Sequence, residues 1–290
     1  MPEHSSRRRN ESDLSVAVRA AHAAGELALR HFHAKSEWWD KAPGNPVGIA
    51  DLEVDAYLKD RLLGHRPDDG WLSEESADTD ERLGKSRVWI IDSIDGTRDF
   101  IRGRTGWAVS VALVEAGEVT VAALSAPARG QLFAALKGHG SQCNGKRLRV
   151  SGLASLAGIR LPIDAVNLAA SFWPEPWLGE AVEKPNSLAL RMAKLAANEA
   201  DAWVEGRNIS EWDVAASALI LTEAGGTVSD RAGLPLVFNK PVPVFHGIAA
   251  ATPALHGVVR DRLDHALKAL AARRQQKAAG ASSTQGFQGV

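Results

Sequence analysis

The stretch WIIDSIDGTRDF, Trp89 to Phe100, constrains the fold more than any other segment of the chain. The apolar run VWII ahead of Asp92 is continuous rather than alternating, the pattern of a strand buried on both faces. Such a strand delivers its last residues to a sheet end, where open sites form. Asp92, Asp95 and Asp99 follow closely, interrupted by Gly96-Thr97. Asp-Gly also suits a surface hairpin, so this dipeptide alone does not decide between a turn and a site. Three features favour a site: the buried strand, a second acid pair at Glu74-Glu75 in DDGWLSEES, and Gly96-Thr97 itself. Gly96-Thr97 can open a helical turn whose free N–H groups bind an anion, and glycine lets a ligand approach the backbone. Acids crowded beside an anion site are contradictory without cations. Mg2+ resolves the conflict, since it takes oxygen ligands from a few carboxylates and completes its shell with water and phosphate. Two such ions about 4 Å apart can clamp the attacking and leaving oxygens of a phosphoryl transfer. The residues thus point to metal-assisted phosphate chemistry.

Periodicity places the remaining elements. Ser12 or Asp13 caps a helix to about His31, with Leu14, Val18, Ala21, Ala24 and Leu27 on one face. WWDKAPGNPVGIAD reads as a loop, and Asp51 opens a second helix striped by Val54, Leu58 and Leu62. Two strands flank a turn at Ala116-Gly117, and QLFAAL and RLRVSG are two more strands. The first part of the chain is therefore two helices and a mainly antiparallel sheet. Beyond Ser151, strands GIRLPI, DAWVEG, TVSD and GIAAAT alternate with helices SLALRMAKLAANEA, EWDVAASALILTEAGG and PALHGVVRDRLDHALKALAAR. That alternation suggests a second, α/β-like layer. The expected organisation is a tail over 1–11, an α+β domain over 12–151, an α/β domain over 152–273 and a tail over 274–290. Both tails are polar or Gly/Ser/Gln-rich and are expected to be disordered.

Composition removes several classes. The 290 residues, 45% hydrophobic, suffice for one large core or two modest ones. A formal charge of −1 leaves no global field for a nucleic acid polymer or an anionic membrane. The single cysteine, Cys143, excludes an internal disulfide and suits a reducing cytoplasm. No apolar run approaches the roughly 20 residues of a membrane span. GSQCNGKR matches a phosphate loop through its Lys and then fails, because Arg147 stands where Ser or Thr must hold the metal. Asn144-Gly145 there is a type I′ hairpin turn. DSIDG lacks the spacing of a calcium loop, and no H-E-x-x-H is present to suggest zinc.

WIIDSIDGTRDF resembles the W-[IV]-[IV]-D-P-[IL]-D-G-T-x-x-F signature of the inositol monophosphatase superfamily, magnesium-dependent and lithium-sensitive phosphatases. EWDVAASALILTEAGG resembles its second signature, LSEES its acidic loop and NPVGIAD its S-P-V-T-x-A-D motif. The resemblance implies a layered αβαβα sandwich, α+β then α/β, with the site at the junction. It implies two or three Mg2+ ions held by Glu74, Asp92, the carbonyl of Ile94, Asp95 and Asp213. Gly96 and Thr97 would bind phosphate through their N–H groups. Glu74 and Thr97 would orient the attacking water, with Asp51 as proton acceptor and Lys41 near the metals. The implied reaction is one-step hydrolysis of a phosphomonoester by metal-activated water. Gly48, Ser73 and Ser93 depart from the usual Thr, Gly and Pro, and Gly48 is expected to loosen the loop that carries Asp51. Gly206 stands where inositol phosphatases typically place a ring-binding Glu, with Glu205 one residue away. Ser187 and Arg191 match a helix whose basic residue is typical of 3′(2′),5′-bisphosphate nucleotidases. The expected substrate is therefore 3′-phosphoadenosine 5′-phosphate, with inositol 1-phosphate or another sugar phosphate as the alternative, and a non-catalytic phosphate-binding module as a third. Ser187, Arg191 and Glu205 are the candidate pocket residues. Asp99 matches no ligand position and reads as a solvated helix residue. Family resemblance also makes a homodimer possible.

Overall fold

A computed structural model describes residues 2–43 and 45–284, with side chains over 13–43 and 46–276. In chain order it comprises α1 (Pro2–Ala34), β1 (Trp38–Ala42), β2 (Asn45–Gly48), α2 (Ile49–His65), β3 (Gly70–Ser73), β4 (Arg87–Asp95), α3 (Thr97–Ile101), β5 (Ala108–Glu115), β6 (Glu118–Ala126), β7 (Gln131–Leu136), β8 (Gly140–Cys143) and β9 (Lys146–Arg147). The second half adds β10 (Ile159–Leu161), β11 (Gly179–Ala181), α4 (Leu188–Ala196), β12 (Ala202–Ser210), α5 (Ala215–Glu223), β13 (Thr227–Asp230), β14 (Val244–Ala251) and α6 (His256–Thr284). Strands β3 to β9 form a seven-stranded sheet in sequential order, antiparallel except for the parallel pair β3–β4. A second, antiparallel sheet has the order β12-β14-β13.

Period-two side chains decide the layers. Trp89 and Ile91 of β4 face α1 and α2, while Val88 and Ile90 face α4 and α5. In the smaller sheet Trp203 and Ala250 face α4 and α5, while Ala202 and Ala251 face α6. The result is an αβαβα sandwich, as the sequence predicts, and all nine residues of β4 are buried. Helix α1 lies close on its sheet because its inner stripe is Ala17, Ala21, Ala24 and Ala28, all fully buried. A Cβ on Gly25 would stand 2.4 Å from Ser125 Oγ and 3.2 Å from its Cβ, so a larger residue would push the serine or the helix aside. Away from the acids, Arg87 bridges Asp13 of α1 and Asp69 ahead of β3, and Trp89 Nε1 donates to Asp69 at 2.9 Å. Losing one member of such a buried pair costs about 3–5 kcal/mol.

Several expectations need correction. WWDKAPGNPVG is the β1–β2 hairpin rather than a loop. RLRVSG stops being a strand after Arg147, and β8 lies inside the segment read as a connection. Asn144 and Gly145 both have positive φ between β8 and β9, which is the predicted hairpin turn. The terminal helices extend into both segments expected as tails. Most of those residues lie outside the ones whose side chains are described.

Candidate active site

Four elements converge on one end of the seven-stranded sheet. Because β3 and β4 are parallel, with Ser73 opposite Ile91, both strands end at the same edge. Glu74-Glu75 therefore emerges beside Asp92. The β4–β5 ladder slips between Asp92 and Asp95, and this irregularity turns both acids toward the sheet end. Asp213 enters from the other side of the sheet, in the turn before α5. Carboxylate oxygens of Asp92, Asp95 and Asp213 all lie within 4.8 Å of one another.

Each acid is held by backbone donors. Ile94 N donates to Asp92 at 3.1 Å, and Ser210 N donates to Asp213 at 2.8 Å. Asp95 rests on the start of α4, accepting from Ser187 Oγ, Leu188 N and Ala189 N. Among the described residues, none of the three is ion-paired. Burial raises Asp92 well above the ordinary carboxylate range, and Glu74, Asp95 and Asp213 repel it further. Burial followed by repulsion from Asp95 and Glu74 does the same to Asp213. Burial lifts Asp95 to about 6 against the three donors from α4. Buried carboxylates without cationic partners are costly. An all-oxygen, anionic donor set of this kind fits a hard divalent ion such as Mg2+.

The remaining predicted residues surround this cluster. Gly96 caps α3 at φ +93°, and a Cβ there would meet Gly106 O at 2.7 Å and Ser187 N at 2.8 Å. Glycine is thus required, and the first-turn N–H groups of α3 open beside the acids. Thr97 Oγ1 lies 3.0 Å from Ile94 O and 3.4 Å from Asp51 Oδ1. Burial raises Asp51 to about 7, opposed by its bond from Gly48 and reinforced by Glu75 and Glu74. Lys41 reaches over from β1 to Glu74 at 3.0 Å and Glu75 at 2.8 Å. Burial would lower the Lys41 pKa, but the two glutamates together raise it. Glu74 itself stands outside the three-acid cluster, in the grip of Lys41.

Four expectations change here. Gly48 does not loosen its loop: its N–H donates to Asp51 Oδ2 at 2.8 Å, and Ile49 N donates to Glu37 O at 3.1 Å. A Cβ at Gly48 would sit 3.0 Å from Glu37 O, so a threonine would require this junction to give by a few tenths of an ångström. Ser187 is fully buried with its hydroxyl on Asp95, so it supports that carboxylate and does not line the cavity. Arg191, a candidate pocket residue, is largely held by its own loop. It is 7% exposed and donates to Pro185 O at 2.8 Å and Asn186 O at 3.3 Å. Asp99 is buried, accepts from Asn186 N at 3.0 Å and anchors the segment before α4. Ser93 is buried, and its hydroxyl has no hydrogen-bond partner among the described residues.

Arg191 nevertheless lines a cavity of about 1150 Å³, where a pocket residue is expected. Phe172, Trp173 and Leu267 supply apolar wall, and Arg98, Arg102, Arg207 and Arg231 supply charge. Glu205 lines it as predicted, but Arg207 binds its carboxylate at 2.8 Å and Arg191 stands 3.8 Å away. The acid is therefore largely neutralised. Position 206, a glycine, also lines the cavity at the irregularity of β12.

Residues 9–267 match the model of the inositol monophosphatase family. The chain belongs to that family, whose members are Mg2+-dependent phosphatases. More particularly, it is 32% identical over 269 residues to Nus factor SuhB of Escherichia coli K12, covering 88% of this chain and 98% of the relative. It is 31% identical over 230 residues to the inositol-1-monophosphatase of Rhizobium meliloti, covering 76% and 86% of the two chains. A Streptomyces griseus protein named glucose-1-phosphate thymidylyltransferase is 33% identical over 260 residues, covering 87% of this chain and 98% of its own. The solved inositol monophosphatase of Thermotoga maritima superposes with a TM-score of 0.75 at 28% identity, covering 88% of this chain and 98% of that one.

Proposed function

We propose that the chain hydrolyses the phosphomonoester of a small polyol, with inositol 1-phosphate as the leading substrate. The carrying observation is the cluster of Asp92, Asp95 and Asp213, the first two buried and the third half-buried, with oxygens within 4.8 Å and no ion pair among the described residues. These three, with Glu74 and the Ile94 carbonyl, would hold Mg2+. When bound, the ion supplies charge neutralisation and a lowered pKa for water. The protein's own residues supply the rest. The first turn of α3 orients the phosphate through the N–H groups of Gly96 and Thr97. The Thr97 hydroxyl and the Asp51 carboxylate face the same side of that turn, so Thr97 positions the water and Asp51 receives its proton. Lys41 holds Glu74 and Glu75 together against their mutual repulsion.

The preference for inositol 1-phosphate over a bisphosphate nucleotide reverses the expectation drawn from Arg191. It follows from the likeness to an inositol-1-monophosphatase at 31% identity and from the engagement of Arg191 with backbone carbonyls. A second reading, the bisphosphate nucleotide, is favoured by the arginines of the cavity, which would suit a second phosphate. Mg2+-dependent phosphate release from inositol 1-phosphate and from 3′-phosphoadenosine 5′-phosphate, measured side by side, tests both. Turnover of neither, with Mg2+ still bound, would leave only a phosphate-binding module.

A further inference from the structure

We infer that Asp55 is a positioning residue that holds the Glu74-Glu75 loop in place for a cation through Ser73 and Ser76. Asp55 follows Asp51 by one turn on the inner face of α2 and is only 6% exposed. One of its oxygens accepts from Ser73 Oγ and the other from Ser76 Oγ at 2.7 Å. Ser73 Oγ also accepts from Glu75 N at 3.3 Å, and Trp71 Nε1 donates to Ser76 Oγ at 3.3 Å. Both ends of the four-residue segment 73–76 are thus fastened to one carboxylate, and the two glutamates lie between the fastenings. Lys41 closes the loop from the opposite side.

Asp55 has no ion pair among the described residues, and its charge adds to the repulsion felt by Glu75. Its use is therefore as a double acceptor and not as a counter-charge. An asparagine of the same shape accepts from one hydroxyl only and can meet the other solely as a donor. That leaves the second serine's proton without its acceptor and competes with Trp71 Nε1 or Glu75 N for its oxygen. Ser73 stands where the resembling motif has glycine, which has no hydroxyl to offer, so this fastening belongs to the chain's own variation on the motif. Its effect is to order the loop before the cation arrives, so that binding carries less ordering entropy. The same α2 turn positions Asp51, so one rigid element sets the spacing between the proton acceptor and Glu74.

The inference rests on Glu74 being a metal ligand, and the test separates the two. Calorimetric titration with Mg2+ is run on wild type, Asp55→Asn, Ser73→Ala/Ser76→Ala, Ser73→Thr and Glu74→Gln, with amide exchange of residues 73–76 followed in chelator. Asp55→Asn and the double serine variant should bind Mg2+ about tenfold more weakly, the low end for residues that support metal ligands. Both should exchange faster over 73–76 and keep kcat near wild type at saturating Mg2+, while Ser73→Thr retains wild-type affinity. The double serine variant carries the test should Asp55→Asn fail to fold. Wild-type affinity in a folded Asp55 or serine variant, with Glu74→Gln weakened, would overturn the positioning role alone. Wild-type affinity in Glu74→Gln would overturn both.

Discussion

Replacing Asp213 by Asn should make the metal-free protein more stable while abolishing turnover. Asparagine keeps an oxygen for Ser210 N, now bonded at 2.8 Å, so the turn before α5 retains its anchor. It removes one of three carboxylates lying within 4.8 Å of one another. At an effective dielectric of about 20, two unit charges 4.8 Å apart repel by about 3.5 kcal/mol. Protonation relieves part of this near neutrality, because burial and repulsion already raise Asp92 and Asp213. The expected net gain is about 1–3 kcal/mol. In a chain of this size that lifts Tm by about 2 °C per kcal/mol. Mg2+ should invert the ranking: at about 100 times its Kd it adds about 2.7 kcal/mol to wild type and much less to the variant. Thermal unfolding in chelator and in Mg2+, with phosphate release alongside, measures every term. A variant less stable than wild type in chelator would refute the reasoning, because Asp213 would then be a net stabilising native contact.

Metal-free wild type should lose stability as pH rises from about 4 to 7. Asp95 and Asp51 are raised from 3.8 to about 6 and about 7, chiefly by burial. Their proton-linked stability is full below the unfolded value and is lost through the folded one. Urea midpoints that stay flat or rise across this window would contradict that sign. Gly96→Ala should cost about 2–4 kcal/mol through left-handed strain and the clash with Gly106 O and Ser187 N, and turnover should fall with it; an unchanged Tm would show that the turn can shift. Arg191→Ala should cost about 2–3 kcal/mol by leaving the Pro185 and Asn186 carbonyls unpaired. It should depress kcat/KM for inositol and nucleotide substrates alike, whereas a loss confined to the nucleotide would mean that Arg191 contacts substrate.

Asp92 and Asp95 were legible as a site because their geometry is local. A buried strand ending in D-x-x-D-G-T fixes Asp92, Asp95 and Gly96 within one sheet end. Asp213 is remote in the chain and is reached only through the resemblance of its W-D motif to the family signature. The pocket was less legible because its residues are defined by partners distant in the chain. Ser187 looks like a ligand until Asp95 is found beside it, and Arg191 looks free until the carbonyls of 185 and 186 fold back under it. Asp99 looks solvated for the same reason, since its partner Asn186 is remote in sequence. The β1–β2 hairpin was hidden by Pro46 and by glycines that read as loop punctuation. The Asp55 fastening carried only one signal, the serine at position 73, whose importance lies in what stands one turn along α2.

The two-sided assembly of the acids bears on how the protein matures. Asp51 belongs to the layer on one side of the seven-stranded sheet, and Asp213 to the layer on the other. A chain emerging from the ribosome presents Asp51, Glu74, Asp92 and Asp95 early, but Asp213 only after the smaller sheet has begun to form. Until then the cluster is open on one side. If the cluster holds Mg2+ as proposed, its full set of carboxylates exists only once both layers have docked.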